Sequence, residues 1–135
     1  MVGSMSVDTI LSKVMKEVPK AVAAGVVDMG TGMLLGFKTV DEHPSEVLDL
    51  VAAATRDLFQ GDSMMEIEKI FKLRRNVTSD DRYVHEFTFS SDHTFHVFER
   101  LKASPATVVV VVCRADTNIA MALTKMRQIR AEERI

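Results

Sequence analysis

Gly30-Thr31-Gly32 is the first cluster that could do chemistry, as a loop that cradles phosphate. A phosphate loop needs a Gly-Lys-Ser/Thr ending and a helix after it, and here apolar, β-branched runs lie on both sides. The triplet reads as a strand–turn–strand joint, with glycine where the turn needs positive φ. His85, His93 and His96 are the candidate metal ligands. A zinc site needs three or four converging ligands. His93 and His96 are three apart, which on a strand puts them on opposite faces. Asp92 and His93 share one tight turn, but no nucleophile is identifiable to complete a triad. Cys113 closes an apolar run without a CxxC partner or a neighbouring His, so it reads as a small core residue. Asp80 and Asp81 are adjacent in a polar loop and do not converge as a carboxylate pair would. The expectation is no catalytic residue, no metal, no cofactor and no enzymatic activity.

One charged cluster stands out: Lys69, Lys72, Arg74 and Arg75, with Arg82 beyond. It reads as a solvated helix end that complements the dipole, or as a docking patch for an acidic partner surface. Nucleic acid is not expected there. The chain has a net charge of −2, and the cluster lacks interleaved aromatics.

The elements that position these residues follow from periodicity. Val7, Ile10, Leu11, Val14, Met15 and Val18 recur at helical spacing, which predicts a helix over 6–18, capped by Ser6 and ended by Pro19. Residues 21–28 and 33–39 are apolar runs about the glycine turn and predict an antiparallel hairpin. A second helix is predicted from Pro44 to about Phe59, stopping at Gly61, with Glu46 in its first turn. It carries two apolar stripes. One is Val47, Leu50, Val51, Ala54 and Leu58. The other, about 100° around, is Leu48, Ala52, Thr55 and Phe59. Packing on one sheet needs one stripe, so two imply two neighbours. The second stripe reads either as a dimer or partner interface or as a surface covered by segment 63–75 of the same chain.

That segment reads as a short helix with a Ser63–Glu66 capping box, with a strand over 67–73 as the alternative. Residues 76–81 are a loop. Strands are predicted at 82–89 and 94–101, joined at 90–93. Pairing Phe89 with Thr94 would put Tyr83, His85, Phe87, Phe89, His96 and Phe98 on one face. Val84, Thr88, Phe95, Val97 and Leu101 would share the other. Residues 107–113 form a continuous β-branched run, the mark of a central strand buried on both sides. Asp116-Thr117-Asn118 caps a last helix with a core face of Ile119, Ala122, Leu123, Met126 and Ile129. The predicted order is α-β-β-α-(α)-β-β-β-α, an α+β domain with a five-stranded antiparallel sheet sandwiched by helices.

The 135 residues suit one domain, and 47% hydrophobic with 27% charged residues is globular composition. A single cysteine excludes an internal disulfide and fits a reducing compartment. No secretory segment is visible before Ser6. The most apolar run, 108–112, is far short of the about 20 residues that span a bilayer. The expectation is a cytoplasmic protein without direct membrane insertion. Nine methionines fit an adaptable core or interface.

Three stretches resemble the roadblock, or dynein light-chain type, family, in a bacterial-type stand-alone form with a profilin-like fold. They are Val26-Val27-Asp28-Met29-Gly30-Thr31-Gly32-Met33-Leu34-Leu35, the broad helix 44–59, and Ala115-Asp116-Thr117-Asn118-Ile119-Ala120-Met121. In the last, Ala120 stands where the family usually has Gly. The resemblance covers nearly all of 1–135, with 61–81 read as an insertion of a short helix plus loop. It implies function by contact. Members form homodimers or close heterodimers by packing second helices and pairing third strands, and they bind motor subunits or small Ras-like GTPases. The implied function is a non-enzymatic homodimeric adaptor or regulator of such a GTPase. The alternative is a small-ligand sensor of profilin-like fold, with Tyr83, His85, Phe87 and His96 as the residues to watch.

Overall fold

A computed structural model describes residues 2–40, 45–76 and 84–135. The elements are α1 (Val2–Glu17), β1 (Ala21–Asp28), β2 (Met33–Thr39), α2 (Ser45–Gln60), α3 (Asp62–Arg74), β3 (Glu86–Ser90), β4 (Thr94–Arg100), β5 (Thr107–Arg114) and α4 (Ile119–Glu132). Pro44, the strand start at Arg82 and Tyr83, and the loop pair Asp80 and Asp81 lie outside the described residues. So do the side chains of Glu46, Val47, Leu48 and Leu50.

The five strands form one antiparallel sheet in the order β2-β1-β5-β4-β3. The valine-rich β5 is central, and its alternate side chains enter two different cores. Val109, Val111 and Cys113 face α1 and α4, where they meet Ile10, Leu11, Val14, Met126 and Ile129. Val108 and Val110 face α2, where they meet Ala52 and Phe59. Helices thus cover both faces, as the unbroken apolar pattern of β5 requires.

The hairpin turn is built by Asp28. Its carboxylate accepts from Gly30 N (3.3 Å) and Thr31 Oγ1 (2.8 Å), and its carbonyl accepts from Gly32 N (2.8 Å). Gly32 alone of the two glycines takes positive φ, at 73°. A bulge between Val26 and Val27 shifts the register of β2.

Several details differ from the periodicity reading. The first helix begins at Val2, so Ser6 lies inside it rather than capping it. Segment 63–75 is helix. Its N-cap is Gly61, without a side-chain cap bond, so the Ser63–Glu66 box does not start it. Gly61 alone separates α2 from α3; a Cβ there would stand 2.6 Å from Asp57 O. Phe89 pairs with His96, two residues from the expected Thr94. A two-residue slip preserves side-chain parity, so Phe87, Phe89, His96 and Phe98 still share a face. Asn118 caps α4 by accepting from Met121 N at 3.1 Å, but Ile119 is exposed rather than in the core. Among the described residues, no helix is long and apolar enough to cross a membrane.

Gly36 lies beneath α1. A Cβ on it would come within 2.6 Å of Val7 Cγ1 and 3.1 Å of Leu11 Cδ1. Gly36→Val therefore overpacks this joint and is expected to lower stability by about 1–3 kcal/mol. Urea unfolding would read this as a lower midpoint at unchanged slope. A loss below about 0.5 kcal/mol would show that α1 does not rest on β2.

Candidate docking surface

The stripe expected either at a dimer or partner interface or beneath segment 63–75 packs, in its described residues, on the sheet instead. Ala52, Thr55 and Phe59 are at most 1% exposed and face the sheet of their own chain. They are not available to a partner in this conformation. Phe59 explains the choice. Its ring meets Phe87 edge-on at 4.9 Å, and the Arg100 guanidinium lies 5.1 Å above it. Thr55 tolerates burial because Oγ1 donates to Val51 O at 2.8 Å. Arg56, on the same side of the helix, donates from Nε to Met29 O at 3.0 Å and ties α2 to the hairpin turn.

The described residues of the other stripe face outward. Val51, Ala54 and Leu58 are exposed. The following helix, α3, covers little of it: Met65, Ile67, Ile70, Phe71 and Leu73 are themselves exposed, Leu73 to 69%. Lys69, Arg74 and Arg75 are exposed among them, and Lys72 is half-buried. The outer faces of α2 and α3 thus form one apolar surface studded with cations. Exposed apolar patches of this kind mark contact surfaces. The sheet edge β3 adds Phe89, stacked on His96 at 4.1 Å and exposed on its outer side. At the far edge, β2 exposes Met33, Leu35 and Phe37.

The residues weighed for chemistry remain apart. His93 is exposed in the β3–β4 turn, and His96 is half-buried with Nε2 2.8 Å from Thr94 Oγ1. His85 is exposed just before β3. Among the described residues, no three His, Cys, Asp or Glu side chains gather as metal ligands. Burial pushes the Cys113 thiol up to about 11, so it stays protonated and unreactive at neutral pH. Of the residues suggested for a sensor pocket, Tyr83 lies outside the described residues, Phe87 packs against Phe59, and His96 lies in an aromatic stack.

An electrostatic cluster on β3, β4 and α4 involves residues that periodicity did not single out. Glu86 on β3 stands directly opposite Glu99 on β4. Arg127 of α4 grips Glu86 with two bonds, Nε to Oε2 at 2.8 Å and Nη2 to Oε1 at 2.9 Å. Those bonds hold the Glu86 carboxyl down at about 2. Glu99 is fully buried, and burial, reinforced by Glu86, pushes it up to about 9. As a carboxylate, neither Glu99 oxygen has a donor. As an acid it carries no charge, which removes the repulsion from Glu86. Arg100, also buried, donates to Val84 O (3.1 Å) and Pro105 O (2.7 Å), fastening two loops to the edge of the sheet.

The proton on Glu99 sets a pH dependence. The folded chain keeps it up to about 9, whereas the unfolded chain releases it near the ordinary value of 4.5. Folding stability therefore falls as pH rises through that window. Glu99→Gln keeps the shape and a donor, and it removes the titration. It is expected to flatten the profile and to be more stable than the parent at pH 8 by at least about 1 kcal/mol. Denaturant unfolding from pH 5 to 9 measures this, and parallel profiles for the two proteins would show that Glu99 is not protonated in the fold. The Glu86 contribution has the opposite sign and a lower window, present above its ordinary value and lost as pH falls toward 2.

No protein-family model matches the sequence, and no curated protein matches it. Solved structures do. The chain is similar to MglB with tetrameric arrangement, at 13% identity and a TM-score of 0.72, over 96% of this chain and 86% of that one. It is similar to the gliding protein MglB from Thermus thermophilus, at 13% identity and a TM-score of 0.73, over 96% and 87%. It is also similar to a Roadblock/LC7 domain from Streptomyces avermitilis, at 17% identity and a TM-score of 0.63, over 91% and 90%. At such identities the likeness carries the fold and leaves the activity open. With its element order and its five-stranded antiparallel sheet between helices, the chain has the roadblock/LC7 fold.

Proposed function

We propose that this chain is a non-enzymatic, homodimeric protein-binding module of the cytoplasm that acts as an adaptor or regulator of a small Ras-like GTPase. The observation that carries the reading is the outward apolar surface of α2 and α3 on a chain of roadblock fold. A solvated monomer gains nothing from exposing Val51, Leu58, Ile67, Ile70 and Phe71 together. Self-association through α2 would cover Val51 and Leu58, and pairing of β3 with its copy would satisfy a sheet edge that is otherwise an aggregation hazard. The fold's likeness to an MglB with tetrameric arrangement supports self-association. Segment 61–81, read as an insertion, would then extend the docking surface. Its Lys69, Lys72, Arg74 and Arg75 suit an acidic partner face.

Light scattering is expected to give the mass of two 15.0 kDa chains. Leu58→Glu, on the outward stripe, is expected to give monomers with unchanged circular dichroism. Ala52→Arg is expected to unfold the chain, because position 52 lies inside its own core, with a cost of several kcal/mol (about 3 or more). A monomeric parent, or a Leu58→Glu variant that remains dimeric, would remove this interface. The pure chain is expected to lack GTP hydrolysis and to retain a Ras-like GTPase from lysate in one nucleotide state. Retention of none in either state would leave only scaffolding by self-association.

A further inference from the structure

On the α2 side of the sheet, the described side chains of α2 cover only part of its length. At one end, Ala52 and Phe59 pack on Val27, Met29, Phe98 and Val108. At the other, β1 presents Ala23 and Gly25 opposite Val112 and Val110 of β5. Alanine and glycine fill little volume there, and a hollow of about 410 Å³ remains. Its floor shows in the burial of β5: from Thr107 to Cys113 every residue is buried except Val112. Leu34 and Val51 form apolar walls. The size falls within the range of small-molecule pockets, about 300–1,000 Å³.

The polar groups lie at one end. Arg114 follows Val112 on the same side of β5 and pairs across the sheet with Thr94, beside His93 of the turn. The Arg114 side chain is 68% exposed and meets Asp116 only at 3.6 Å. The other Asp116 oxygen is taken by Lys20 at 2.7 Å. Among the described residues at this end, two cations thus share one carboxylate. An apolar trough that ends in one guanidinium fits an aliphatic chain with a singly charged, planar head that can accept two parallel hydrogen bonds.

We propose that this hollow binds a medium-chain aliphatic carboxylate of roughly eight to twelve carbons, with its chain over Ala23, Gly25 and Val112 and its head on Arg114. The site shares Val51 with the outward stripe of α2, but its floor of Ala23, Gly25 and Val112 belongs to the sheet of one chain and lies apart from α3.

Calorimetric titration of the full chain with decanoate, kept below its micelle range, tests this. The expected result is saturable binding of one decanoate per chain. Ala23→Leu, which fills the hollow, is expected to weaken binding at least about tenfold. Arg114→Gln is expected to weaken decanoate by about fivefold and to leave 1-decanol unchanged. If Ala23→Leu fails to fold, methyl NMR of the parent decides: decanoate should shift Leu34, Val51, Val110 and Val112. No saturable binding, or shifts centred instead on Ile67 and Ile70 of α3, would overturn the proposal. So would equal sedimentation of parent and Ala23→Leu with phosphatidylglycerol vesicles in place of decanoate binding, which would assign the contact to a lipid surface.

Discussion

The constraint on which the structure depends is the burial of β5 from both sides. Five consecutive valines cannot be half-solvated, because each second one would face water. The chain answers with two unequal layers. Helices α1 and α4 together seal one face, and the core there is continuous from Val7 to Ile129. The other face has α2 alone among the described helices that pack on the sheet, and its core is smaller. Much of what is distinctive about the molecule lies on this thinner side.

A single helix over one face of a five-stranded sheet must choose where to sit. Phe59 makes that choice, since its ring is held between Phe87 and Arg100 and its burial draws Ala52 and Thr55 down with it. Two consequences follow from the one anchor. Val51, Ala54 and Leu58 turn outward and, with the exposed apolar residues of α3, offer a surface that suits another protein. At the strand end away from Ala52 and Phe59, where β1 has only Ala23 and Gly25, a hollow remains. Contact surface and cavity are two results of the same incomplete cover.

The edge of the sheet shows a second kind of economy. Opposed glutamates on neighbouring strands repel when both are charged. Here one is ionised and gripped by Arg127, and the other is buried and protonated. The pair thus carries one charge instead of two at neutral pH, and that charge is tied to α4 through Arg127. Such an arrangement makes the edge sensitive to alkali rather than to mild acid.

Much of this architecture was legible in the sequence because it is written in short-range periodicity. The spacing of Val7 to Val18 gives the inner face of α1, the runs about Gly30 and Gly32 give the hairpin to the residue, and the valines of β5 announce a central strand. Asn118 as a cap is equally local. Side-chain parity even survived the two-residue error in the β3–β4 register, since the pleat repeats every two residues. The rest depended on partners distant in sequence. Whether α2 buries Ala52 or Val51 depends on Phe87 and Arg100, which lie 28 or more positions beyond Phe59. The protonation of Glu99 depends on its burial between elements and on Glu86 across the ladder. The hollow depends on where Ala52 and Phe59 of α2 pack. Composition and period determine which residues must leave water, and only the three-dimensional packing of specific side chains decides against what, because that contact free energy is set between elements rather than within them.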